Sequence, residues 1–74
     1  MMIKLNGQEK EVRAGTTVSD LLAELQIKPE RVAVELNLSI LERGDYPKTR
    51  LNDGDRVEVI GFIGGGSAWR EVSG

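Results

Sequence analysis

Thr16-Thr17-Val18-Ser19-Asp20-Leu21-Leu22-Ala23-Glu24-Leu25 is the stretch on which the fold turns. Val18, Leu21, Leu22 and Leu25 fall at i, i+3, i+4 and i+7, which gathers the apolar side chains into one stripe along a helix. Thr17 is placed to cap the amino end, and Asp20, three positions on, gives a weak form of the capping box. Pro29 marks where the helix has ended, because the residue before a proline is pushed out of helical geometry. Glu24 and Lys28 form a favourable i, i+4 pair if the helix reaches that far. One apolar stripe is only half a core, and the other half has to come from the flanks.

Both flanks read as strands. Upstream, Met2 to Asn6 alternates, with Ile3 and Leu5 on one side and Lys4 on the other. Asn6-Gly7 suits a tight hairpin, since both central residues of a type I′ turn need positive φ. A second strand, about Glu9 to Arg13, is polar except for Val12, which suggests a more exposed position. Downstream, Arg31 to Leu36 alternates with Val32, Val34 and Leu36 inward, and a turn at Asn37 precedes a short apolar segment at Ser39 to Leu41. Glu42 to Arg50 is polar, carries Gly44 and Pro47, and reads as a long connection. Asn52-Asp53-Gly54-Asp55 is a strong turn signal leading into the last strand, Arg56 to about Ile63, with Val57 and Val59 inward. Strand, hairpin, strand, helix and two or three further strands predict an α+β fold. It is a β-grasp (ubiquitin-like) mixed sheet of four to five strands with one helix packed across one face. The helix between the second and third strands permits a crossover, right-handed if those strands run parallel.

Composition narrows the chemistry. Seventy-four residues make one domain, and a chain this short buries only roughly 60% of the surface its unfolded form exposes. With no Cys and no His there is no disulfide, no thiol nucleophile, no Ser-His relay and no expected metal site. Nothing resembles a catalytic pair of carboxylates, so the chain is not expected to be an enzyme. Ten Lys and Arg against twelve Asp and Glu give a net charge of −2, without a basic block, which disfavours nucleic acid as a main partner. The start, MMIKLNGQEKEV, lacks the apolar run of a signal peptide, and no stretch is long enough to span a membrane; the cytoplasm is the default compartment.

Gly64-Gly65-Gly66 follows the last strand, ahead of Ser67-Ala68-Trp69-Arg70-Glu71-Val72-Ser73-Gly74. Three glycines pack nothing, and their virtue is slenderness and freedom in φ and ψ. They suit either a flexible linker or a tether that must enter another protein's narrow active site. The chain accordingly divides into a β-grasp domain (1–63), the glycine run (64–66) and a tail (67–74) expected to be flexible.

From Val32 to Gly66 the sequence VAVELNLSILERGDYPKTRLNDGDRVEVIGFIGGG resembles the bacterial ThiS family, the sulfur carriers of thiazole (thiamin) synthesis. The features that carry the likeness are the AVELN strand and turn, Arg43, the LNDGD turn, and a VEV strand running into F-I-G-G-G. The LNG hairpin and TVSDLL helix start extend it over about residues 1 to 66. The resemblance implies a protein cosubstrate that binds no cofactor itself. A ThiF-like, ubiquitin-activating-type enzyme uses ATP to adenylate the terminal glycine carboxylate, here Gly66. Sulfur from a protein persulfide then displaces AMP to leave a thiocarboxylate, which a ThiG-like thiazole synthase or another acceptor receives. Gly64 and Gly65 would be the tether. Sulfur stored on a backbone terminus agrees with the absence of Cys.

The eight residues after Gly66 depart from that pattern, because family members usually stop at the glycines and a carbonyl within the Gly66–Ser67 peptide has no carboxylate oxygen to offer ATP. Either a processing protease removes the tail (67–74) on maturation, cutting after Gly66 in preference to Gly65, which would make 64–66 the tether, or the protein is not a working carrier. Trp69, the only tryptophan, marks a recognition element for that protease, folds back onto the sheet, or sits on a loose end. Ile60 and Phe62 share the face of Arg56 and Glu58 in a strictly alternating strand, which suggests a partner-docking patch. Alternatively Gly61 bulges the strand and returns one of them to the core. Two other functions stay open: the same carrier chemistry feeding cysteine, homocysteine or molybdopterin formation, and a β-grasp binding module that never uses its glycines.

Overall fold

A computed structural model describes residues 1–62 and the strand backbone at 69–71; positions 63–68 and 72–74, and the side chains of 62 and 69–71, lie outside the described residues. Strand β1 (Met2–Leu5) turns through Asn6 and Gly7, both at positive φ (49° and 83°), into β2 (Gln8–Glu11), as the Asn-Gly pair requires. The pairing runs on past β2, since the Met1 amino group donates to the Val12 carbonyl and Val12 N–H to the Met1 carbonyl, both at 2.8 Å. That continuation buries Val12.

Helix α1 (Val18–Glu24) carries the full capping box: Thr17 Oγ1 accepts from Asp20 N–H at 3.0 Å, and the Asp20 carboxylate accepts from Thr17 N–H at 3.1 Å. Val18, Leu21 and Leu22 are fully buried, and Leu25, at the carboxyl-terminal cap, packs against the core from its edge. The helix stops too early for the expected Glu24–Lys28 pair, because Gln26 takes a left-handed φ of 59°. Glu24 instead meets Lys10 Nζ on β2 at 2.7 Å.

Strands β3 (Val32–Leu36), β4 (Ser39–Ile40) and β5 (Arg56–Phe62) complete the main sheet, in the order β2-β1-β5-β3-β4. β5 is its centre, parallel to β1 and antiparallel to β3. A short β6 (Trp69–Glu71) also pairs antiparallel with β5. Ile3, Leu5, Val32, Val34, Val57 and Val59 face α1 and form the core with it, which is the β-grasp arrangement.

The 42–50 connection does more than link strands. After a 3₁₀ turn at Arg43–Asp45, Tyr46 is buried to 2% exposure, a core residue that a polar reading of this stretch passes over. The carbonyls of Thr49 and Tyr46 accept from Val18 N–H (2.9 Å) and Ser19 N–H (3.2 Å). These are donors of the first helical turn, which the helix itself cannot satisfy.

Candidate functional site

In sequence the glycine run follows β5 after one residue, Ile63, so what matters is how firmly β5 is held along both edges. On the β1 side, Lys4 N–H donates to the Asp55 carbonyl at 2.8 Å and Asn6 N–H to the Val57 carbonyl at 2.9 Å. Where β1 ends, the Asn6 side chain takes over: Oδ1 accepts from Val59 N–H at 2.7 Å and Nδ2 donates to the Val59 carbonyl at 3.3 Å. A side-chain amide thus stands in for one more strand residue. On the other edge the β3–β5 register runs unbroken from Leu36↔Val57 to Val32↔Gly61.

The start of β5 is locked by two motifs together. Asp55, only 9% exposed, accepts from Asn52 N–H at 2.7 Å through one carboxylate oxygen and from Asn37 Nδ2 at 3.1 Å through the other. Asn37 in turn accepts from Arg56 N–H at 2.9 Å through Oδ1 and donates its own N–H to the Arg56 carbonyl at 2.8 Å. The LNDGD turn also reaches β1, where Met2 N–H donates to Asp53 Oδ1 at 2.8 Å and Gly54 N–H to the Met2 carbonyl at 2.7 Å. The asparagine of AVELN and the aspartates of LNDGD thus fix where the central strand begins. Arg43 ties down the loop below β3, with Nε 3.2 Å from the Pro29 carbonyl and Nη2 3.4 Å from that of Glu30.

The unbroken register carries strict alternation through Gly61, so no bulge turns Ile60 inward. Ile60 is half-buried on the face away from α1, opposite Ala33, and is not part of the core cluster. Beside it, Glu35 stands opposite both Glu58 and the 73%-exposed Ile40. Phe62 belongs to β5 by its backbone, and its side chain lies outside the described residues, as do Gly64, Gly65 and Gly66 entirely. Among the described residues no cluster of His, Cys, Asp or Glu could hold a metal ion, and no helix is long and apolar enough to cross a membrane. The Asn6 clamp and the Asn37–Asp55 lock were not singled out from sequence; Asn at a positive-φ turn beside an Asp-rich loop was their only trace.

A central strand fixed on both edges and a helix gripped by the sheet, with a glycine run one residue past that strand in sequence, define the class of small ubiquitin-like β-grasp domains. Within that class, residues 3–66 match the ThiS family model, and the chain belongs to the ThiS family. It is 38% identical over 66 residues to the sulfur carrier protein ThiS of Bacillus subtilis, covering 88% of this chain and 100% of that one. It is 45% identical over 67 residues to a thiazole synthase of Paramagnetospirillum magneticum, covering 90% of this chain and 21% of that protein. The chain thus spans about a fifth of the length of the curated thiazole synthases that it matches. The crystal structure of a thiamine biosynthesis protein (ThiS) from Geobacter metallireducens superimposes with a TM-score of 0.78 at 39% identity, covering 89% of this chain and 100% of that one.

Proposed function

We propose that this chain is a sulfur carrier for thiazole synthesis whose reactive group is the carboxylate of Gly66, freed by proteolysis. The observation that carries the reading is where the likeness stops. The family match ends at residue 66, the third glycine, and the match to the Bacillus carrier takes in 88% of this chain and all of that protein. The division into a domain (1–63), a tether (64–66) and a removable tail (67–74) follows from the same point.

The chemistry would run as follows. A carboxylate oxygen of Gly66 attacks the α-phosphorus of ATP on a ThiF-like activating enzyme, and pyrophosphate leaves. The terminal sulfur of a protein persulfide attacks the acyl carbon and AMP leaves with the electron pair of the broken C–O bond. A second thiol then reduces the S–S bond, leaving the glycine thiocarboxylate. This chain supplies presentation, not catalysis: β5 is hydrogen-bonded along both edges, and the three glycines after Ile63 let the carboxylate reach the nucleotide without clashes. Stretches like this one within thiazole synthases favour a ThiG-like acceptor over cysteine, homocysteine or molybdopterin pathways. The partners so implied place the protein in the cytoplasm.

Docking is assigned to the open face around Ile60, together with Phe62. Ile40, 73% exposed, and the half-buried Ile60 offer apolar area on that face. The test is intact mass of the protein from its native host, and of chain ended at Gly66 after incubation with ATP, a ThiF-like enzyme and a persulfide donor. A species ending at Gly66, heavier by one sulfur-for-oxygen exchange, is expected. Recovery of only the uncut chain, together with no acyl adenylate on the trimmed one, refutes the reading.

A further inference from the structure

The edge of β5 that faces β1 is filled residue by residue until Gly61. Alternate residues of a strand turn their N–H and C=O to the same edge. The Val57 carbonyl meets Asn6 N–H, and both backbone groups of Val59 meet the Asn6 side chain. Gly61 comes next on that edge, beyond the reach of β1. Ile60 and Gly61 already pair with Ala33 and Val32 of β3, so β6 must lie on the opposite edge, the one β1 shares. Its register is Ile60↔Glu71, Gly61↔Arg70 and Phe62↔Trp69, which puts Arg70 opposite the one residue the Asn6 clamp leaves unpaired. The ladder ends at Glu71, and the next β5 residue on the way down, Val59, is already occupied.

We propose that Gly61 is a strand-addition site and that Trp69–Glu71 is its built-in occupant, an intramolecular competitor that keeps the β5 edge closed to a partner's extended segment until the residues beyond Gly66 are removed. The competition rests on the carrier reading above; the strand cap itself does not. Joining one more strand to an exposed edge is a general mode of peptide recognition, with main-chain hydrogen bonds supplying affinity. Here the vacated edge would lie within five residues of Gly66, so a partner strand docked at Gly61 holds the reactive end beside its own active site. Removing the tail then performs two tasks at once, since it creates the carboxylate and uncovers the edge.

The two effects are linked by one factor. A partner that needs the free edge binds with an apparent affinity reduced by the fraction of molecules in which that edge is free. Amide exchange at Gly61 requires the same opening. The experiment compares Gly61 N–H exchange in the full chain, in full-chain Arg70→Pro and Arg70→Ala variants, and in chain ended at Gly66; the Geobacter relative, wholly covered by 89% of this chain, shows that a domain of that length folds. Gly61 is expected to exchange about tenfold more slowly in the full chain than in the trimmed one. Arg70→Pro, which lacks the N–H, should match the trimmed chain, and Arg70→Ala the full one. Binding to a ThiF-like enzyme should weaken by the same factor, about tenfold, in the full chain and recover in Arg70→Pro. Equal Gly61 exchange in all four forms overturns the cap, and equal binding by full and trimmed chains overturns the competition. Slow Gly61 exchange in the full chain with no binding by any form removes the carrier reading and the competition, while supporting the cap.

Discussion

Replacing Asn6 by Gly tests whether a side chain can serve as the last residue of a strand. Asn6 sits at φ 49°, where Gly is equally at ease, so Asn6→Gly keeps the turn and removes the amide. Two hydrogen bonds are lost, the strong one at 2.7 Å and a longer one at 3.3 Å. At ~0.5–1.5 kcal/mol each, with the longer bond at the low end, they contribute about 1–2 kcal/mol. The greater freedom of Gly in the unfolded chain adds roughly 0.5–1 kcal/mol, for a total loss of about 1.5–3 kcal/mol. At ~4–8 °C per kcal/mol for a domain of this size, the melting temperature should fall by at least about 6 °C. Urea unfolding should show a lower midpoint with an unchanged slope, because the surface exposed on unfolding is the same. Exchange at the Val59 amide should accelerate more than at Val57, which β1 still covers. A loss below about 0.5 kcal/mol, smaller than one ordinary hydrogen bond, would refute the clamp.

Three further outcomes are expected. Thr17→Ala should lower stability by about 1 kcal/mol in urea unfolding, since Asp20 N–H loses its acceptor at the start of α1. Leu38→Gly should raise it by roughly 0.5–1 kcal/mol: Leu38 is 75% exposed at φ 73°, a left-handed conformation that costs a non-glycine residue more than the freedom Gly adds to the unfolded chain. Ile60→Glu, on the open face, should change unfolding stability by less than about 1 kcal/mol while weakening a ThiF-like partner at least about tenfold in a titration, the size of a modest hot-spot residue.

Much of the fold was legible because local signals agreed with one another. The i, i+3, i+4, i+7 stripe of α1, the Asn6-Gly7 turn and the alternation of β3 and β5 each needed only neighbours in sequence to be read. What escaped depends on residues far apart in the chain. Tyr46 sits in a polar stretch, and its burial follows from the connection folding over the start of α1. Glu24 finds Lys10, fourteen positions away, because α1 ends a turn sooner than the charge pattern suggests. The site divided in the same way. The glycines could be read directly from sequence, whereas alternation left Ile60 between the open face and a bulge at Gly61, and only the unbroken β3–β5 register decides for the open face. The edge of β5 could not be read, since Asn6 lies 53 positions from Val59.

The sequence features that carry the likeness to other carriers are also the ones that hold the central strand. Asn37 comes from the AVELN segment and Asp55 from LNDGD; each looks like turn chemistry alone, yet they bond each other and share the entry to β5. The Asn of the first hairpin fixes the same strand further along. Under the proposed function, in which the chain presents a terminus to other enzymes, its geometric task is to hold the strand that leads to that terminus. Ordering a flexible arm on binding costs affinity, and every residue fixed beforehand reduces that cost. On that reading the hydrogen bonds along β5 serve as positioning: they hold the strand as far as Gly61, three positions before Gly64.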